Sequence, residues 1–169
     1  ECLWPAADPS TTANRLYVLV HALRRAVEPT SRRGRWVFIR NDRDRYYFSP
    51  DAPYRLDVQE FRRHVETGER LEHRGDLHAA VDAYKVAMEL YSGDLLEDEP
   101  YAEWCWAERE NLRETALNVV ARLASQYSRW GALDQSIVHY QRALRLDPLR
   151  EQNHRGLIET LLRAGRGTE

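Results

Sequence analysis

The chain has 169 residues, of which 31% are charged and 43% apolar, a composition typical of a folded domain and not of a disordered chain. It contains no apolar run of about 18 residues, so a membrane-spanning helix is not expected. The net charge of −2 hides an asymmetry: residues 1–50 carry nine arginines against five acidic residues, and residues 51–169 carry 16 basic against 22 acidic residues. A basic segment joined to an acidic one is typical of chains in which one part binds nucleic acid.

The start of the chain and its two cysteines favour a reducing, cytoplasmic setting. Residues 1–5 lack the basic stretch followed by an apolar stretch that marks a signal peptide. Cys2 and Cys105 lie far apart and form no Cys-x-x-Cys pair, so we expect buried or incidental thiols instead of a disulfide or a metal site.

The first predicted element is a helix from Thr12 to Val27, with Ser10 or Thr11 as its N-cap and Pro29 after its end. The helical spacing of its apolar residues predicts a buried stripe of Leu16, Leu19, Val20, Leu23 and Val27. The opposite face is expected to display Asn14, Tyr17, Val18, His21, Arg24 and Arg25.

A β-hairpin is predicted next, because the aromatic and β-branched runs 36–39 and 46–48 flank the polar residues 41–44. Its rim carries Arg33, Arg35, Arg40, Arg43 and Arg45. A helix that displays Asn, His and Arg, followed by such a hairpin, has the parts of a winged helix-turn-helix. In that motif the helix reads the major groove of DNA, and the hairpin, called the wing, contacts phosphates. The alternative is an amphipathic helix and a solvated hairpin in any α+β domain.

Residues 120–148 carry the spacing of two closely packed helices. The pattern consists, in chain order, of Leu123, Ala124, Tyr127, Gly131, Ser136, Tyr140, Ala143 and Pro148. It resembles the tetratricopeptide repeat, in which small residues allow close packing, a glycine permits the turn and a proline ends the unit. Val120 replaces the usual tryptophan and Ser136 the usual alanine.

An earlier copy of this pattern surrounds Gly75. The residues at matching offsets after the glycine are Ala80, Tyr84 and Ala87. The first helix of this copy matches poorly, since His64 and Thr67 occupy positions where large apolar residues are expected.

The two turn glycines are 56 residues apart, whereas the repeat length is about 34. We therefore expect an insertion, formed by a loop at residues 92–100 and by the beginning of a long helix from about Tyr101 to Trp130. One of Trp104 and Trp106 is expected in the core and the other on the surface. A third unit is predicted from Leu149 onward, with Leu157, Leu161 and Gly165.

Four stretches resemble known transcription regulators. Leu3-Trp4-Pro5 and residues 14–26, beginning Asn14-Arg15-Leu16, are similar to the recognition-helix region of actinobacterial antibiotic regulatory (SARP-type) proteins. Residues 93–104, from Gly-Asp-Leu-Leu to Pro-Tyr-Ala-Glu-Trp, and residues 144–151 resemble hallmark stretches of the bacterial transcriptional activator domain. The resemblance covers essentially the whole chain and implies a DNA-binding transcription factor with an activator domain of tetratricopeptide type.

The expected fold is mostly α. A partial winged helix-turn-helix, recognition helix plus wing, is expected at residues 1–53, and a tetratricopeptide-like activator domain at residues 54–169. Winged domains of this family normally begin with a small sheet and two helices, so the chain is expected to start near the end of the second helix. Ala22 stands where related output domains often have arginine, which shifts the expected base contacts to Asn14, Tyr17 and His21.

The expected partners are double-stranded DNA and, through the helical repeats, proteins such as RNA polymerase or a second protomer. The candidate DNA-binding residues are Asn14, Arg15, Tyr17, Val18, His21, Arg24, Arg25, Arg33, Arg35, Arg43 and Arg45. The acidic loop and the six histidines lack metal-ligand spacing, and no enzyme motif is present, so no cofactor, metal or catalytic residue is expected. The alternative function is a tetratricopeptide-type interaction or sensor module of a larger signalling protein that binds no DNA.

Overall fold

The computed structural model describes residues 9–31, 35–43 and 45–166. The chain divides into two compact units, residues 1–55 (unit 1) and residues 56–169 (unit 2). The fold is mostly helical, with one small hairpin before a helical unit, which confirms the predicted fold class. Within the described ranges, no helix is long and apolar enough to cross a membrane.

Unit 1 contains a helix and a two-stranded hairpin. Helix α1 spans Pro9–Val27, and the antiparallel strands β1 (Ile39–Asp42) and β2 (Arg45–Phe48) place Ile39 opposite Phe48. The helix begins earlier than predicted, so Ser10 and Thr11 lie in its first turn and neither is the N-cap. Proline suits the first turn of a helix, because no hydrogen bond there needs its missing N–H.

The turn of the hairpin is shorter than predicted. Asn41 and Asp42 belong to β1 instead of the turn, and residues 36–38 precede that strand. Arg43 has a φ of 51°, the sign that tight hairpin turns require. Asp44, also predicted in the turn, lies outside the described residues.

The predicted buried stripe of α1 is wrong for most of its length. Val20 is only 8% exposed, but Leu19 and Leu23 are 53% and 50% exposed. Arg24, one turn after Val20, contacts the hairpin through the Ile39 carbonyl. The face of α1 toward the hairpin therefore runs through Val20 and Arg24, and Leu19 and Leu23 point away from it.

All of the regular secondary structure in the described part of unit 2 is helical. Its α-helices are α2 (Asp57–His73), α3 (Leu77–Leu90), α4 (Trp106–Arg129), α5 (Leu133–Leu146) and α6 (Glu151–Arg163). Helix α2 pairs with α3, α4 pairs with α5, and α6 packs against α5. A short 3₁₀ helix, Glu103–Cys105, precedes α4, so the long helix begins five residues later than predicted.

The second helix pair follows the predicted repeat pattern. Leu123, Ala124 and Ala143 are fully buried, and Gly131 turns the chain with a φ of +78°, which favours glycine. Ser136, also fully buried, donates a hydrogen bond of 2.8 Å from its hydroxyl to the carbonyl of Ala124. Serine therefore replaces the usual alanine without leaving an unsatisfied polar group.

The first helix pair explains why its sequence matches the repeat poorly. The buried face of α2 consists of Phe61, Val65 and Gly68, while His64 and Thr67 are half-buried. A Cβ atom at Gly68 would overlap the ring of Tyr84 on α3. Gly68 is thus the small residue that lets the two helices of this copy pack closely, and the sequence analysis did not identify it.

The core of unit 2 joins the two pairs. Phe61 and Tyr91 of the first pair belong to the same buried cluster as Leu112 and Val120 on α4. In the third unit, Leu157 and Leu161 are half-buried, and Gly165 turns the chain with a φ of +73°. The predicted third unit is present as α6 and its turn.

We expect Gly68→Ala to destabilise unit 2. Alanine favours a helix, but overlap with the Tyr84 ring should dominate and cost about 1–3 kcal/mol. Chemical denaturation would measure the loss in the free energy of unfolding. In a Tyr84→Leu background the same substitution should cost less, because the ring is gone, and an equal cost in both backgrounds would contradict the packing argument.

Candidate nucleic-acid interface and contact surface

The polar face of α1 is open to solvent. A spacing of four, three and four residues places on one helix face the side chains of Asn14, Val18, His21 and Arg25. All four are exposed, as are the predicted candidates Arg15 and Tyr17. Val18 is 63% exposed, so the face combines amide, ring, guanidinium and apolar groups.

Arg24, another predicted DNA-binding candidate, makes contacts inside unit 1. Its Nε donates to the carbonyl of Ile39 at 2.9 Å, and its guanidinium lies 5.5 Å from the ring centroid of Tyr46 and 5.7 Å from that of Trp36. The side chain is half-buried between α1 and the hairpin. Arg24 therefore connects the two elements, and its guanidinium is already engaged inside unit 1.

Glu28, which follows α1, makes a second connection. Its carboxylate accepts hydrogen bonds from the backbone N–H groups of Val37 at 2.9 Å and Phe38 at 2.8 Å. Burial opposes ionisation of Glu28, but these N–H donors, Ser31 and the charge of Arg24 lower its pKa overall. The ring of His21 also contacts Trp36 edge to face, at 6.1 Å between centroids.

The arginines of the hairpin remain at its edge. Arg35, Arg43 and Arg45 are exposed, with Arg43 at the turn and Arg45 opposite Asp42. Arg40 lies 3.9 Å from Asp51, a weak ion pair in solvent. Arg33 lies outside the described residues. The described candidates thus belong to two elements, α1 and the hairpin, that Arg24 holds together.

Unit 2 carries an exposed aromatic group that the sequence prediction placed incorrectly. Trp104 and Trp106 are both exposed, at 70% and 66%, so the prediction that one of them is in the core is wrong. The residue between them, Cys105, occupies the buried position as a free thiol. Tyr101 in the same segment is 94% exposed.

Arg109 holds this segment in place. Its guanidinium donates to the carbonyl groups of four loop residues, at 2.8 to 3.3 Å: Leu95, Leu96, Glu99 and Pro100. Its Nη2 also lies 3.4 Å from Cys105 Sγ, which in turn contacts the Ala102 carbonyl at 3.1 Å. One side chain from α4 therefore fixes the conformation of the loop before that helix. The sequence prediction missed Arg109, because no local spacing marks a residue that binds carbonyls up to 14 positions away.

The same segment is acidic. We use the name aromatic–acidic surface for seven exposed side chains of this segment: Glu97, Asp98, Glu99, Tyr101, Glu103, Trp104 and Trp106. Among the residues that the structure describes, no basic side chain forms an ion pair with the four acidic members. In the same part of the chain, no group of three or more His, Cys, Asp or Glu side chains is placed to hold a metal ion.

The fold is a helical-repeat unit with an inserted segment, preceded by a small basic unit. The sequence model of the bacterial transcriptional activator domain family matches residues 56–169, and the chain belongs to this family. It is a family of transcription regulators and not of enzymes. The resemblance drawn from residues 93–104 and 144–151 is thereby confirmed. No curated protein matches the chain significantly.

We expect the contact between Glu28 and the hairpin to weaken in acid. Because the pKa of Glu28 is lowered below its ordinary value, its stabilising contribution is fully present above that ordinary value and is lost as pH falls through the folded-state pKa. In a nuclear magnetic resonance titration, the amide shifts of Val37 and Phe38 should change with a midpoint below that value.

Glu28→Gln should abolish this titration, because the amide does not ionise. Glu66→Gln, which removes an exposed carboxyl of unit 2, serves as the control and should leave it intact. A midpoint at or above the ordinary glutamate value in the wild-type chain would show that the backbone donors do not outweigh burial.

Proposed function

We propose that the chain is a DNA-binding transcriptional activator. Residues 1–53 act as the recognition helix and wing of a winged helix-turn-helix, and residues 54–169 act as the activator domain. Double-stranded DNA binds to unit 1, and proteins such as RNA polymerase or a second protomer bind to unit 2. An activator of this kind works in the cytoplasm, where bacterial DNA is found.

The exposed polar face of α1 carries this proposal. A helix fits the major groove, where asparagine pairs with adenine, arginine pairs with guanine and apolar groups contact the thymine methyl. Asn14, Arg25 and Val18 supply these three chemistries on one exposed face. Tyr17, His21 and Arg15 flank them, and all are open to solvent.

The connection between α1 and the hairpin supports the assignment of a wing. A wing contributes to binding only if it keeps a fixed position relative to the recognition helix. Arg24 and Glu28 provide that constraint through hydrogen bonds to Ile39, Val37 and Phe38. The exposed arginines Arg35, Arg43 and Arg45 are then available for phosphates, and the sequence adds Arg33 as a further candidate.

One observation favours the alternative, a protein-interaction module without DNA binding. Leu19 and Leu23 on α1 are half exposed, and exposed apolar side chains on a helix are typical of a protein contact. In that case α1 would bind another protein through this face, and the arginines of the hairpin would be ordinary solvated residues.

The two functions differ in their dependence on salt. We expect the chain to bind duplex DNA in a gel shift, with an affinity that falls steeply as salt rises, because phosphate contacts release counterions. Arg43→Ala should weaken binding of all sequences and reduce the salt slope by about one, because it removes a phosphate contact. Arg25→Ala and Asn14→Ala should instead change the sequence preference in a selection from random duplexes, because both residues are proposed to contact bases.

Two further variants serve as controls. Arg155→Ala removes an exposed arginine of unit 2 and should leave the salt slope unchanged. Arg24→Ala should weaken DNA binding indirectly, because the hairpin is no longer held in place relative to α1. Nuclear magnetic resonance should show this displacement as altered amide shifts in β1. Absence of binding even at low salt, or wild-type behaviour of the Asn14, Arg25 and Arg43 variants together, would favour the interaction module.

A further inference from the structure

We propose that the aromatic–acidic surface of unit 2 binds an arginine-rich segment of a partner protein. The proposal rests on the contact-making role proposed for unit 2, and it does not depend on DNA binding by unit 1. Three features of unit 2 support the proposal: the exposed aromatic side chains, the acidic groups among them and the fixed backbone beneath them.

The aromatic side chains are exposed to an unusual degree. Tyr101, Trp104 and Trp106 lie within six residues and are 94%, 70% and 66% exposed. Single exposed apolar residues are ordinary, but a concentrated aromatic group in one segment marks a surface that becomes covered on binding. Tyrosine and tryptophan are also the residues that contribute most to binding at protein interfaces.

The charge around these rings selects the partner. Residues 94–110 contain one basic residue, Arg109, whose guanidinium is occupied by loop carbonyls. Of their seven acidic residues, Glu108 is paired with Arg62, while the four that belong to this surface form no ion pair with a described basic side chain. Such a surface repels nucleic acid, phosphorylated peptides and anionic membranes. It attracts cations, and the faces of tryptophan and tyrosine add attraction for a cation placed over the ring.

Arginine fits this surface better than lysine. A guanidinium is planar, so it stacks on an aromatic ring and pairs with a carboxylate through two parallel hydrogen bonds. Trp104 lies next to Glu103 in the 3₁₀ helix, and Tyr101 follows Glu99 by two positions. The segment therefore offers both rings and carboxylates, so a partner with several arginines can stack one of them on a ring while another pairs with a carboxylate.

The backbone under the surface is already ordered. The carbonyl groups bound by Arg109 and the buried Cys105 fix the loop and the 3₁₀ helix before any partner arrives. A surface held in its binding conformation loses less conformational entropy on association.

The test uses the full chain and a fluorescent synthetic peptide of alternating arginine and serine. Fluorescence anisotropy should show saturable binding, weaker for the matched lysine peptide and absent for the glutamate peptide. The double variants Trp104→Ser/Trp106→Ser and Glu97→Gln/Glu99→Gln should each weaken binding by about tenfold or more, given the usual strength of cation–π and charged contacts. All substituted side chains are exposed, so thermal unfolding should remain as in the wild type.

Matched controls separate this surface from general attraction to an acidic protein. Leu149→Ser removes an apolar side chain that is 90% exposed elsewhere on unit 2, and Glu66→Gln/Glu159→Gln removes two exposed carboxylates. Both should bind the arginine peptide as the wild type does. The Trp104/Trp106 variant should also keep the gel-shift behaviour of the wild type, whatever that behaviour is, so failure of DNA binding and failure of this proposal are distinguishable.

Three outcomes would overturn the proposal. The first is no saturable binding of the arginine peptide at low salt. The second is equal weakening by the control variants, which would mean adsorption to the acidic unit as a whole. The third is sedimentation that shows a dimer lost only in the Trp104/Trp106 variant, which would make a second copy of the chain the occupant.

Discussion

Arginine side chains that satisfy main-chain carbonyl groups determine how the parts of this chain are joined. The carbonyls at helix ends and in loops have no partner within their own element, and leaving them unpaired in a buried place is costly. Four such joints are present in the described structure: Arg24 to Ile39, Arg109 to the loop before α4, Arg113 to Leu146 at the end of α5, and Arg142 to Met88 and Tyr91 at the end of α3. The apolar core packs helices side by side, while these contacts fix where one element ends relative to the next.

The sequence predicts the parts of the fold whose signals are local. Ala124 and Gly131 are recognisable because their spacing lies within one helix pair, and the structure confirms both positions. Gly68 escapes that analysis because it matters through the ring of Tyr84 on the next helix. The orientation of Trp104 depends on the buried Cys105 and on Arg109, neither of which leaves a periodic signal.

The candidate DNA-binding residues also divide into those whose exposure follows from local sequence signals and those whose exposure depends on tertiary contacts. Helical periodicity correctly predicts that Asn14, His21 and Arg25 are exposed. It wrongly gives Arg24 and Arg25 the same exposure. Consecutive residues on a helix point about 100° apart, so only one of the two can face the hairpin. Only the presence of the hairpin carbonyl and of two aromatic rings decides that Arg24 turns inward. Tertiary partners therefore decide which arginines remain available for a ligand.

The opposite charges of the two halves imply different ligands for them. By charge alone, the nine arginines of residues 1–50 favour a polyanion such as DNA, whereas the acidic excess of residues 51–169 disfavours one. The repeat helices need one another for burial, and within the inserted segment Cys105 and Leu112 are buried as well. Arg109 fixes the rest of that segment in one conformation and leaves Trp104 and Trp106 in water. Stability of the repeats does not explain that arrangement, because burying the rings would stabilise the unit more. Recognition of a partner does explain it.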